Sequence, residues 1–310
     1  MRKTVLIFIL LLAFGCKNTK SPDVAQAGTN DTVKVETKKF TYPKIPVMLT
    51  DREQQLSFYI QHYWDHFDFA DTTYVTPLEV AEQAWVDYID LLCRAPLDKA
   101  QEEMKAMMSK SVQQSKKVFL YFVDLANKYL YDPNSPMLNE ELYIPILEVM
   151  IETPVLSDSE KMLPKNRLEW AHKNRVGTKA INFEYTDIKG KTGTLYQVKA
   201  DCILLFFNNP GCSSCKEHIE AIRNSIVLNK LLSSNRLKIM SIYPENNAEE
   251  WKEHYGNYPA EWINGYNKSQ TIDKKYNLRA IPTLYLLDKN KTVLLKDAPF
   301  GQIENYLLTF

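Results

Sequence analysis

Glycine is scarce in this chain: nine occur in 310 residues, and none lies between Gly28 and Gly177. So long a stretch without the residue that most easily takes left-handed turns excludes a glycine-rich turn architecture there and points to helices joined by short loops. Net charge is also lacking. Lysine plus arginine and aspartate plus glutamate each number 38, so nothing in the balance marks nucleic acid as a partner. Cysteine is limited to five residues, and the second C-x-x-C that a four-thiolate zinc site needs is missing. The clearest apolar run, Val5 to Phe14, is about ten residues, too short for a bilayer core of roughly 30 Å. What remains is a chain 45% apolar and 12% aromatic, long enough to bury the cores of two domains.

The short apolar run has a different reading. Arg2 and Lys3 precede it and Gly15 and Cys16 come after it, which is the order of an export signal. Leu12-Ala13-Phe14-Gly15-Cys16 resembles the lipobox of bacterial lipoproteins, with Ala13 where that family more often has leucine. The resemblance implies a signal peptide over 1–16 and a lipid on Cys16, so that the protein is exported and held to a membrane, facing the periplasm or the cell exterior. From Lys17 to about Lys39 the chain is polar and lacks the apolar surface needed to fold. Residues 17–42 therefore read as a flexible tether, with a reach on the order of 25 Å.

From Thr50 to about Lys173 the apolar period is helical. Thr50 and Glu53 form a capping-box pair ahead of Leu56, Tyr59, Ile60, Tyr63, Trp64 and Phe67. Thr76, Pro77 and Glu79 open a second helix with a stripe of Leu78, Ala81, Trp85, Tyr88, Ile89 and Leu92. Further helices are predicted near 97–109, 112–131, 140–151 and 158–173, the last opened by Ser157 and Glu160, with Pro145 kinking its helix or marking the true start. Within the first helix His62 and His66 have an i,i+4 spacing that metal sites use, but the HExxH glutamate is absent. Both histidines flank the apolar stripe. Met104, Met107 and Met108 read as core. A helical block placed between a lipoprotein signal and a second domain resembles an uncharacterised domain of bacterial lipoproteins, and that resemblance implies no activity.

After Gly177 the period changes to two. Residues 182–187 and 194–198 read as a hairpin, and Cys202-Ile203-Leu204-Leu205-Phe206-Phe207 as a strand covered on both faces. A helix from Cys212 to about Leu232 should turn Ile219, Ile222, Ile226 and Leu231 inward. Leu237–Tyr243 reads as a strand, Ala248–Tyr255 as a helix, Thr283–Leu287 and Val293–Leu295 as a strand pair, and Gln302–Leu308 as a closing helix. The expected fold class is α+β overall: an all-α domain over 43–174 and then an α/β domain over 175–310.

Asn209-Pro210-Gly211-Cys212-Ser213-Ser214-Cys215 joins the buried strand to a helix. A thiol at a helix N-terminus meets free backbone N–H groups and a partial positive charge, which favours its thiolate. The two-residue spacing lets the pair close a small ring reversibly. Together with Tyr276 to Asp288, which contains Ala280-Ile281-Pro282-Thr283, this motif is similar to the thioredoxin-like superfamily and to its membrane-tethered thiol–disulfide oxidoreductase branch, typified by TlpA and ResA. The resemblance covers about 175–310. It implies a thioredoxin-like fold, Cys212 as nucleophile and Cys215 as resolving thiol. It also implies a cis Pro282 against the sulfurs, and substrate contacts from the Ile281 backbone and the Gly211 position. Gly211 stands where the family usually has tryptophan, Ser213-Ser214 replace its Gly-Pro or Glu-Pro, and Phe206 occupies the place of thioredoxin's buried aspartate. With that acid gone, His218, three residues after Cys215 where the ResA-like branch holds a glutamate, is a candidate to take the resolving proton.

These readings converge on thiol–disulfide exchange with exported protein thiols or disulfides, with a membrane electron donor or acceptor as second partner and no cofactor. A thiol peroxidase needs a P-x-x-x-[T/S]-x-x-C segment that is not there. A tethered binding or scaffold lipoprotein with a structural Cys212–Cys215 disulfide is the alternative of a different class. Cys93 and Cys202 read as small buried residues rather than a disulfide.

Overall fold

The computed structural model describes residues 39–75 and 79–310. The expected signal peptide, Cys16, nearly all of the tether, and Thr76, Pro77 and Leu78 of the second helix start lie outside the described residues. Residues from Lys38 onward form one compact unit, so the boundary near Gly177 is a change of architecture within a continuous body.

The N-terminal half is built from α1 (Arg52–Gln61), α2 (Glu79–Leu92), α3 (Leu97–Gln114), α4 (Lys116–Ala126), α5 (Glu140–Glu152) and α6 (Asp158–His172). The first cap is one residue later than expected: Asp51, not Thr50, accepts from the Gln54 N–H. The apolar stripe also outlasts its helix. α1 stops at Gln61, and a run of turns carries Tyr63, Trp64, Phe67 and Phe69 into the core instead. His62 and His66 therefore do not share a helix face, and His62 Nδ1 pairs with Asp65 Oδ2 at 2.7 Å. Aromatic side chains dominate the packing, with Trp64 5.4 Å from Tyr88 and Phe122, and Trp85 5.5 Å from Phe122. Phe40 joins this cluster 5.1 Å from Tyr63, so the end of the expected tether is part of the fold. Met104, Met107 and Met108 are buried there as predicted.

α5 packs between α3 and α6. It runs through Pro145, which cannot donate to the carbonyl of Glu141 four residues back. That carbonyl accepts instead from Gln101 Nε2 at 2.8 Å, which explains how the helix starts upstream at Glu140 and keeps its proline. α6 opens with the Ser157–Glu160 capping box read from the sequence.

The C-terminal half is a seven-stranded sheet of β1 (Glu184–Thr186), β2 (Thr192–Thr194), β3 (Cys202–Phe207), β4 (Leu237–Tyr243), β5 (Ile263–Tyr266), β6 (Thr283–Asp288) and β7 (Val293–Lys296), in the order β2-β1-β5-β4-β3-β6-β7. β3 lies inside the sheet, parallel to β4 on one side and antiparallel to β6 on the other. All six of its residues are buried. They alternate between two cores: Cys202, Leu204 and Phe206 on one face, Ile203, Leu205 and Phe207 on the other. The expected helix after Cys212 is two: α7 (Ser213–Asn224) and α8 (Ile226–Ser233), broken at Ser225, whose side chain caps the second. The break turns Ile226 outward, 84% exposed, against the expectation of an inward residue. β5 has no strand signature in the sequence, because Asn264 and Gly265 interrupt any alternating pattern. A Cβ on Gly265 would stand 2.7 Å from the Tyr185 ring, so close packing of β1 demands glycine there. Short α9 (Ala248–Glu253) and closing α10 (Phe300–Leu308) complete the half. No described helix is long and apolar enough to cross a membrane.

Polar contacts tie the halves together. Arg175 grips Glu141 at 2.8 Å, and Asn174 donates to the Lys275 carbonyl at 2.8 Å while accepting from the Ile181 N–H at 2.7 Å. Lys296 Nζ reaches the Lys173 carbonyl at 2.9 Å and Glu140 Oε2 at 2.6 Å.

Candidate active site

The site forms where β3 hands the chain to α7. Asn208, fully buried after the strand, donates to Ser241 Oγ on β4 at 2.8 Å, fixing the strand exit. Gly211 then takes φ +77°, a left-handed turn that favours glycine. This explains why glycine, and not the family's bulky residue, precedes the first cysteine. Cys212 comes next as the N-cap of α7, and its sulfur accepts from the Cys215 N–H at 3.1 Å. The two sulfurs are joined in a disulfide with Cα atoms 5.2 Å apart. Cys212 is half-buried, whereas Cys215 is 2% exposed and packs in the core that holds Phe206.

The Ile281–Pro282 peptide is cis, and the Ile281 carbonyl oxygen lies 3.9 Å from Cys212 Sγ. β6 begins directly afterwards, with Thr283 paired to Phe207 at the end of β3. The antiparallel register therefore delivers this loop to the cysteine end of the central strand. Gly211, Cys212, Cys215, Ile281 and Pro282 are thus brought together from segments nearly 70 residues apart. His218 stands on the same helix. Its Nδ1 lies 2.8 Å from the Ser214 carbonyl, and because a carbonyl only accepts, Nδ1 carries the hydrogen and Nε2 is left as the free nitrogen of the neutral ring. Cys16 is outside the described residues.

Beside the disulfide is a groove of about 340 Å³. His218, Ser214 and Pro282 line it. Arg279, Asp297 and the 133–138 loop of the helical half line it too, and these were not anticipated. Arg279 lies three residues before Pro282 inside a segment already singled out, but a sequence pattern does not reveal what a long side chain bridges. Asp297 comes from the end of β7, and no local signal marks it. Its carboxyl is pushed up to about 6 by burial first and by the like charge of Glu140 second, with Arg279 and Lys296 opposing. Arg279 pairs with Asp297 at 3.3 Å and Glu140 at 3.4 Å, all three side chains being nearly buried. The other two described cysteines differ from each other. Cys202 is buried, its thiol pushed up to about 12 by burial. Cys93, expected to be buried, is exposed just past the end of α2.

Comparison with known proteins agrees with this geometry. Residues 15–174 match a family described as a domain of unknown function (DUF5106), and residues 200–293 match a thioredoxin-like family. A thiol-disulfide oxidoreductase ResA of Bacillus anthracis is 24% identical over 138 residues, 44% of this chain and 78% of that protein. The crystal structure of a thioredoxin-like protein from Bacteroides caccae is 52% identical with a TM-score of 0.85, covering 88% of this chain and 99% of that one. A relative matched over nearly its whole length, together with the two family matches, shows that the chain belongs to the thioredoxin-like family of thiol–disulfide oxidoreductases, with a helical domain of unknown function ahead of its redox domain.

Proposed function

We propose that the protein exchanges disulfides with other exported polypeptides while held to a membrane by lipid on Cys16. The observation that carries the exchange chemistry is the position of Cys212, half-buried at the start of α7 and 3.9 Å from the Ile281 carbonyl. In the reduced form the helix N-terminus favours the Cys212 thiolate. That thiolate attacks one sulfur of a substrate disulfide, the substrate S–S bond breaks, and the departing substrate thiolate takes a proton. Cys215 then loses its proton and attacks Cys212 Sγ, releasing the second substrate thiol and leaving the Cys212–Cys215 disulfide. His218, with Nε2 free, is the group we assign to receive the Cys215 proton. A membrane electron donor re-reduces the pair, or the same steps reversed oxidise a client. No cofactor enters the cycle. The helical domain spans 43–174 in this reading and the redox domain 175–310.

A redox titration of the pair tests the exchange. An exchange catalyst has a potential of about −100 to −270 mV, whereas a value below about −300 mV would assign the pair to the scaffold role. Trapping is the complement: Cys215→Ser should accumulate mixed disulfides with exported proteins. For the anchor, wild type should take up labelled acyl chain and Cys16→Ala should not; equal uptake in both would remove the lipid from this reading.

A further inference from the structure

The groove beside the disulfide is not a property of the redox domain alone. Its lining combines Pro282, Ser214 and His218 with Pro133, Asn134 and Leu138, the last three contributed by the turn between α4 and α5. That turn is fastened from the redox side at both of its ends by Arg279, with Lys296 adding a second hold on Glu140. Arg279 donates through Nη1 to the Tyr131 carbonyl, stacks its guanidinium 4.2 Å from the Tyr131 ring centroid, and pairs with Glu140 on the first turn of α5. Tyr131 is held in turn by stacking on Tyr143, 5.0 Å away. The clamp therefore grips the residues on both sides of the 133–138 segment and grows from the loop that also presents Pro282.

Resting on the exchange reading above, we propose that the helical domain supplies part of the lining of the substrate groove, with Arg279 as its positioning residue. The lining thereby selects an extended cysteine-bearing polypeptide segment with an apolar residue beside its cysteine. A cavity of about 340 Å³ is at the small end of ligand sites and takes a few residues of chain rather than a folded surface. Its apolar lining comes from Pro133, Leu138, Pro282 and Pro299, which favours burying an apolar side chain. The polar groups Asn134, His218 and Asp297 beside them suit the main chain of an extended segment.

The test uses the full chain and two substrates: a small aromatic disulfide, and a synthetic peptide disulfide carrying leucine next to its cysteine. Asn134→Trp places bulk on the helical domain's share of the lining while keeping the backbone N–H that donates to Asp132. Arg279→Met cuts the clamp. In both, kcat/KM for the peptide is expected to fall about tenfold relative to that for the small disulfide, through KM rather than kcat. A ratio unchanged in Asn134→Trp, which lies in an exposed turn and does not depend on Arg279 for folding, overturns the proposal. So does a loss equal for both substrates. A wild type inactive on both would instead sink the exchange reading itself.

Discussion

Lys296 Nζ and Glu140 Oε2 meet at 2.6 Å across the junction of the two halves, with side chains only 7% and 11% exposed. A pair so far from water is costly to split, because removing Lys296 leaves Glu140 with only Arg279, which it shares with Asp297. Lys296→Met should lower unfolding free energy by less than the roughly 3–5 kcal/mol of a buried charge left wholly unpaired, because Arg279 stays beside Glu140, and the loss is seen as a lower denaturant midpoint. Adding Glu140→Leu should recover much of that loss. Additive losses in the double variant would show that the two residues act independently.

Asp297 gives the junction a pH dependence. Its folded-state pKa is raised from 3.8 to about 6, so between those values the unfolded chain is ionised while the folded chain holds the proton. Folding then takes up a proton, and stability falls as pH rises through this window, by up to about 3 kcal/mol. Below about pH 4 both states hold the proton, and the stability lost at higher pH is fully present. Denaturant midpoints of wild type and Asp297→Asn should therefore converge or cross between pH 4 and 6, with wild type losing ground as pH rises. A constant difference would show that Asp297 does not titrate there.

His218→Gln tests the proton step. If imidazole Nε2 receives the Cys215 proton, the exchange rate of wild type has a pH-dependent limb that the glutamine variant lacks. An unaltered profile returns His218 to the role its Ser214 hydrogen bond already gives it, a side chain folded back on its own helix.

Thiol labelling separates the remaining cysteines. In the oxidised native protein Cys93 should alkylate, since the residue is exposed, at a rate held down by partial burial of its sulfur, which pushes the thiol up. Cys202 should stay unlabelled until the chain unfolds, because burial both hides its thiol and disfavours its thiolate. Labelling of Cys202 at the rate of Cys93 would mean that the start of β3, inside the sheet, opens in the native state.

What the sequence disclosed was whatever is encoded locally. Ser157 and Glu160 announced α6, and the six apolar residues of β3 announced a strand buried on both faces. The Cys-Ser-Ser-Cys turn and Pro282 announced each other through family resemblance. What it hid depends on partners distant in the chain. Gly265 is a strand residue because Tyr185 fills the space its side chain would need, and Pro145 is tolerated because Gln101 takes the freed carbonyl. Ile226 faces outward because Ser225 ends one helix and caps the next. Arg279 and Asp297 belong to the groove only because the helical half folds back onto the redox half, and no periodicity carries that information.

The N-cap position of Cys212 has one more consequence. The sulfur that accepts the Cys215 N–H at 3.1 Å is neutral in the disulfide and anionic in the reduced thiolate, and an anion is a far better partner for a helix's first amides. Electron flow through the pair is therefore written into the backbone of α7. The Cys215 amide becomes an oxidation-state reporter, its proton resonance and exchange rate with deuterated solvent changing each time the protein is charged or discharged.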